Sequence, residues 1–237
     1  MYNLLCIFLT FLIYSIIGYV SEVIFCSIKS KKFIWNRGFL IGPYLPIYGN
    51  GALIITHTLG KYSDDVIALF IMSMVYCTIL EYFTSLILEK LFHLRWWDYS
   101  EKKFNLNGRV CLTNGLLFGI AGIVILDFIN PLITNFVYSM NSKILVLVCL
   151  VLLVIFLTDL FVSIRIVFGL KTNISKITSK DATKEIKKEV SLFLKNYGFL
   201  TSRLLKSYPN LVNINNKRLS NAIDYMKTEL RKRRKTK

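Results

Sequence analysis

Apolar residues fill five long stretches of the chain, and most of the polar and charged ones fall between or after them. A helix needs about 20 apolar residues to cross ~30 Å of hydrocarbon at 1.5 Å per residue. Residues 4–28, 39–59, 66–92, 112–138 and 144–164 meet that requirement. The pattern predicts an all-α fold, a polytopic membrane bundle of about five transmembrane helices followed by a helical tail. Two spans are irregular. The second carries Gly42, Pro43, Pro46, Gly49 and Gly51, just after Gly38, and the fourth carries Gly115, Gly119, Gly122 and Pro131. Proline frees backbone groups that protein or water must then satisfy, so broken helices pack inside a bundle or line a cavity. In the tail, Ile186, Val190, Phe193, Leu194 and Tyr197 share one helical face, and Leu219, Ile223, Met226 and Leu230 share another.

Composition agrees with the lipid phase: 54% of the 237 residues are hydrophobic, and the mean hydropathy is +0.51. Soluble enzymes, disulfide scaffolds and disordered proteins are excluded on that ground. The net charge of +16 is unevenly placed, with 19 of the 30 Lys and Arg residues after position 164. This divides the chain into a membrane domain, 1–169, and a basic amphipathic C-terminal region, 170–237. Of the remaining basic residues, four lie in 29–38 and five in 90–109, against one each in 60–65 and 139–143. The positive-inside rule then predicts a multi-pass protein of the cytoplasmic membrane with its N-terminus outside and its tail in the cytoplasm. The first apolar run has no basic n-region and is too long for a signal peptide, so it is expected to remain as an anchor.

Carboxylates are costly in hydrocarbon, about 2.5–3.5 kcal/mol on insertion scales, and turn toward partners or water. Glu22, Glu81, Asp127 and Asp159 fall within spans. Arg37 and Arg109, at the cytoplasmic mouths of the two broken spans, are the expected partners of Glu22 and Glu81, giving a polar cavity open to the cytoplasm. In the intervening loop Asp98, Tyr99 and Ser100 have the chemistry to hydrogen-bond a polar ligand, Asn107 is a further ligand-site candidate, and the backbone at Gly38, Gly42, Pro43, Pro46 and Gly49 would frame the same site. A structural ion-pair network is the competing reading of these residues. Trp96 and Trp97 are expected as interfacial anchors. A span with Tyr19 and Glu22 followed by NRGFLIG (36–42) echoes a span with Glu81 and Tyr82 followed by NGRVCLTNG (107–115).

No metal site or cofactor is predicted. Cys6, Cys26, Cys77, Cys111 and Cys149 show no CxxC or Cys/His spacing and read as reduced thiols. His57 and His93 are isolated. The chain has no GxxxxGK[ST], GxSxG or HExxH, so ATP-driven work would need a partner ATPase. The basic tail suits anionic lipid headgroups or a partner subunit better than nucleic acid, since it lacks a recognised module or interleaved aromatics.

The segments NRGFLIGPYLPIYGNG (36–51), WWDYS (96–100), NLNGRVCLTNG (105–115) and SYPNL (207–211) resemble the CmpB-like, ABC-transporter type IV family of integral membrane proteins. The resemblance implies a permease-type membrane subunit working with partner chains, and it brings no assigned ligand-binding residues. Three functions remain open from sequence: a transport subunit, in a homodimer or larger complex; a membrane enzyme acting on a lipid headgroup; and a scaffold or sensor whose tail binds partners.

Overall fold

The computed structural model describes residues 2–31, 33–35, 38–92 and 95–178, together with Arg203, Ser207 and Thr228. Both tail helices expected from sequence lie outside the described residues. Helix α1 (Tyr2–Ser30) is followed by a non-helical segment, 38–45, and a short helix α2 (Pro46–Thr58). A 3₁₀ turn (Gly60–Tyr62) leads into α3 (Val66–Phe92). A small hairpin of β1 (Asn105–Leu106) and β2 (Val110–Cys111) then precedes α4 (Leu112–Val124). A π turn (Ile125–Ile129) joins α4 to α5 (Asn130–Ser139), and α6 (Ser142–Thr178) completes the described fold, running past the boundary expected at 169.

Among the described residues, four helical stretches are long and apolar enough to cross a membrane: Tyr2–Ile28, Val66–Phe92, Leu112–Ser139 and Ser142–Gly169. The all-α bundle is as the pattern predicts. The second expected span differs, because its helix has only 13 residues, roughly 20 Å at 1.5 Å each. Its first part is the irregular backbone of 38–45. The physical reason is local: Pro43 and Pro46 bar a helix upstream, and Pro46 is tolerated in the first turn, where its missing N–H has no intrahelical partner to lose. The fourth span stays continuous but widens into the π turn just ahead of Pro131.

α1 packs on α2 and α3 on α4, each short helix lying against the long one before it. Both α2 and α4 are 13 residues long, matching the order of elements in the sequence echo. Glycines set the close approach, as they do where lipid supplies no hydrophobic drive between helices. A Cβ on Gly119 would strike Phe70, and one on Gly122 would strike Ser73. One core gathers Cys6, Leu9, Tyr14, Ala52, Val137 and Leu145, and a second gathers Ile55, Leu59, Leu69 and Leu126. Cys6, Cys77, Cys111 and Cys149 are buried free thiols.

At the α1–α2 contact, a Cβ on Gly49 would overlap Ser15 Oγ and lie 2.6 Å from the Phe11 carbonyl oxygen, which belongs to backbone and cannot rotate away. At Gly60 nothing lies within 4 Å of the added atom. Gly49→Ala is therefore expected to cost about 1–3 kcal/mol and Gly60→Ala close to nothing, as read from unfolding midpoints of the purified protein in detergent. Equal effects would mean that α1 and α2 do not meet at Gly49.

Candidate functional site

Residues 38–45 present backbone groups that no helix satisfies, and the accounting of their partners locates the first polar centre. The N–H groups of Ile41 and Gly42 donate to the two carboxylate oxygens of Asp159 on α6, at 2.8 and 2.7 Å. Tyr44 OH donates to Asp159 Oδ2 at 2.5 Å and Ser163 Oγ to Oδ1 at 2.9 Å. Leu45 N–H donates to the Ser15 carbonyl of α1 at 2.9 Å. The carbonyls of Phe39, Leu40 and Ile41 all accept from the guanidinium of Arg203, a residue of the basic tail. Gly38 enters the segment at φ +93°, a conformation that side chains rarely adopt. Gly42 offers its amide, Pro43 is exposed, and Gly49 admits α2 against α1.

The second centre lies between the long helices. Glu81 is 7% exposed and sits on an α3 face where Ser73, Cys77, Glu81 and Ser85 recur every four residues, all buried. Its Oε1 accepts from Tyr99 OH at 3.2 Å, and Tyr99 Oη accepts from Asn114 Nδ2 of α4 at 2.7 Å. Its Oε2 is buried with no hydrogen-bond partner among the described residues. Glu22 of α1 is half-buried; it accepts from Tyr48 OH at 2.8 Å and from Cys26 Sγ at 3.2 Å. Tyr48 lies within electrostatic reach of Glu22, Tyr99 and Glu81, and Glu22 within reach of Glu81. Four helices and the hairpin thus contribute to one polar cluster.

The hairpin carries Tyr99 into that cluster. Asn107 (φ 54°) and Gly108 (φ 66°) form its turn, and Asn-Gly is the pair that suits two successive left-handed residues. A Cβ on Gly108 would meet Asp98 Oδ1 at 2.6 Å and Arg95 at 3.0 Å. Asp98 accepts from the Ser100 backbone N–H at 3.0 Å and its hydroxyl at 2.6 Å, and pairs with Arg95 at 3.4 Å. Tyr99 N–H donates to the Gly108 carbonyl at 2.8 Å, and Trp97 Nε1 donates to the Arg109 carbonyl at 2.9 Å. Burial alone raises the Tyr99 hydroxyl well above its ordinary value, with the neighbouring Glu81 charge adding to it, so Tyr99 acts as a neutral donor.

The sequence-predicted residues divide accordingly. Glu22 and Glu81 lie within electrostatic reach of each other. Arg109 does not join them: it is 8% exposed, and its guanidinium binds both oxygens of Glu89 at 2.9 and 3.0 Å, reaches Ser85 Oγ at 3.4 Å and stacks on the Tyr82 ring. Glu89 is two α3 turns beyond Glu81, on the hairpin side, and offers a bidentate partner nearer the interface. Arg37 lies outside the described residues. Asn107 is exposed and donates to Tyr82 OH at 3.0 Å; it and Asp98 shape the hairpin and do not enter the Glu22–Glu81 cluster. Asp127 is exposed on the π turn and joins neither centre. Trp96, expected at the interface, is 3% exposed and packs with Phe39 and Phe92. Tyr48, Asn114 and Glu89 are site residues that sequence reasoning passed over. The four-residue polar stripe of α3 was the signal for Glu89, and the first two lie inside the distinctive segments.

A family model described as "Putative ABC-transporter type IV" matches residues 9–164. No curated protein and no solved structure matches the chain.

Burial acts to raise the Asp98 carboxyl, but the two Ser100 hydrogen bonds and Arg95 outweigh it and hold the group below the usual aspartate range. A depressed folded value stabilises the hairpin above the unfolded value of about 3.9, and that contribution is lost as pH falls through the lower folded value. Hydrogen exchange at the Ser100 amide, corrected for its intrinsic rate, is expected to accelerate on acidification below about pH 3.9. In Asp98→Asn that acceleration should be absent. An unchanged acid response in the variant would assign it to another group.

Proposed function

The chain belongs to the ABC-transporter type IV family, and on that premise we propose that it is a permease-type membrane subunit. Its polar site is the cluster of Glu22, Tyr48, Glu81, Tyr99 and Asn114, in a cavity that opens to the cytoplasm. The observation that supports this most is the incomplete satisfaction of Glu81. A polar network that merely locks helices would engage both carboxylate oxygens, as happens at Asp159 and at Glu89, whereas Glu81 keeps one oxygen without a hydrogen bond among the described residues. Intramembrane carboxylates of that kind mark substrate and ion pathways.

In this reading the hairpin and tail face the cytoplasm, where Lys and Arg are concentrated, and the N-terminus lies outside. Residues 1–169 form the transport domain. The basic region 170–237 meets anionic lipid headgroups and receives a partner ATPase, because the chain carries no P-loop of its own. A homodimer or larger assembly completes the pathway. The hydrogen bonds from Arg203 to the carbonyls of 39–41 connect that region to the broken segment.

Membrane vesicles from cells expressing the chain, supplied with ATP and a uniformly ¹³C-labelled small-molecule extract, test the proposal. At least one labelled compound should accumulate or be expelled in a chain-dependent manner, and Glu81→Gln should reduce that movement at least tenfold while the protein remains in the membrane. Movement that proceeds unchanged in Glu81→Gln, Glu22→Gln and the double variant would contradict it.

A further inference from the structure

The donors and acceptors of the Glu22–Glu81 cluster do not balance. Tyr48 OH is used on Glu22 Oε2 and Tyr99 OH on Glu81 Oε1. Cys26 Sγ is used on Glu22 Oε1, and one hydrogen of the Asn114 amide on Tyr99 Oη. Both phenolic hydrogens are therefore committed; the second hydrogen of the Asn114 amide is the donor left, near the Glu81 carboxyl, and the larger open capacity is for acceptance, chiefly at Glu81 Oε2, which is buried and makes no hydrogen bond among the described residues. The nearby cation cannot serve, since Arg109 is held by Glu89 and Ser85. No ion pair to Glu22 or Glu81 exists among the described residues. A ligand that only accepts hydrogen bonds meets one uncommitted donor here, the second Asn114 N–H, against several open acceptors.

We infer that Glu81 Oε2 binds a compact monovalent cation, an alkali ion or a primary ammonium group, held between the Glu81 and Glu22 carboxylates with Tyr48 and Tyr99 oxygens and the Asn114 side chain completing the contacts. Hard oxygen donors of this kind suit such cations. A divalent ion is disfavoured: calcium takes six to eight oxygen ligands, usually several carboxylates, and among the described residues no group of three His, Cys, Asp or Glu side chains forms a metal-binding set. Size is limited by burial, since Glu81 is 7% exposed and a bulky organic cation cannot reach it. The inference rests on reading this cluster as the working site, and it assigns that site a substrate or coupling-ion class.

The test uses the full chain purified in detergent, with thermal unfolding followed at constant ionic strength. N-methylglucamine chloride, too bulky for the site, is replaced stepwise by sodium, potassium or methylammonium chloride. The wild type should gain roughly 3 °C in midpoint for each tenfold rise in cation above its dissociation constant. Glu81→Gln should abolish the gain, and Asp64→Asn, an exposed loop acid, should keep it. A response to sodium or potassium identifies a metal cation, and a response to methylammonium alone identifies an amine; both support the inference. If Glu81→Gln does not fold, Glu22→Gln takes its place, and calorimetric titration of the wild type with the same salts reads binding directly. No gain in the wild type, a gain that survives both variants, or a response to pH alone would each overturn it. Transport that requires Glu81 without any cation response would leave the permease reading standing and remove only this assignment.

Discussion

Every polar group held at membrane depth must find its partner within the protein, and in this chain the demand is sharpest at residues 38–45. Eight residues without helical hydrogen bonds lie beside the bundle, and their N–H and C=O groups would each cost several kcal/mol if left to hydrocarbon. Asp159 takes two amides and a phenol, Ser15 takes a third amide, and Arg203 takes three carbonyls. The break in the second span therefore fixes where α6 and at least one tail residue must sit. The position of α2 follows, because Leu45 N–H is anchored to α1 immediately before Pro46 begins the helix. Once α2 is placed, Tyr48 is delivered to Glu22.

The acids within the bundle are answered in different ways. Asp159 is occupied on both oxygens by groups of the fold, Glu89 by a bidentate arginine, and Glu22 by a phenol and a thiol. Glu81 is answered on one oxygen only. Proteins break the rule of complete satisfaction mainly where function needs the exception, and a fold that satisfies three acids so fully has the means to satisfy a fourth. That asymmetry is what supports the proposal that Glu81 is the working acid, and it does so without reference to the family.

Much of this was legible in the sequence. Length and apolarity locate the spans, because a bilayer imposes one scale on every crossing helix, and the helices at Tyr2–Ile28, Val66–Phe92, Leu112–Ser139 and Ser142–Gly169 fall where expected. The prolines and glycines mark both irregular spans, although only the structure distinguishes a chain leaving helix altogether at 38–45 from one that widens by a π turn at 125–129. That difference depends on Pro43 and Pro46 acting together, whereas Pro131 is a single insult absorbed locally. Pairing was the least legible part. Arg109 was expected on Glu81 because both are charged and close in topology, but a helix places Glu89 two turns nearer the hairpin, and the Asn-Gly turn, readable in the sequence yet overlooked, swings Arg109 to it. Which acid an arginine meets is set by three-dimensional register, to which hydropathy is blind.

The direct measurement is a comparison of two conservative substitutions in one unfolding experiment, carried out in N-methylglucamine buffer so that no small cation is supplied. Asp159→Asn places an NH₂ group where a backbone N–H already points, and its midpoint is expected to fall, with a loss of about 1.5–3 kcal/mol for the charged hydrogen bond removed. Glu81→Gln replaces a buried carboxyl whose second oxygen has no partner among the described residues, and its midpoint is expected to stay level or rise. A fall in Glu81→Gln as large as that in Asp159→Asn would show that Glu81 holds the bundle together, and would contradict its assignment as the working acid.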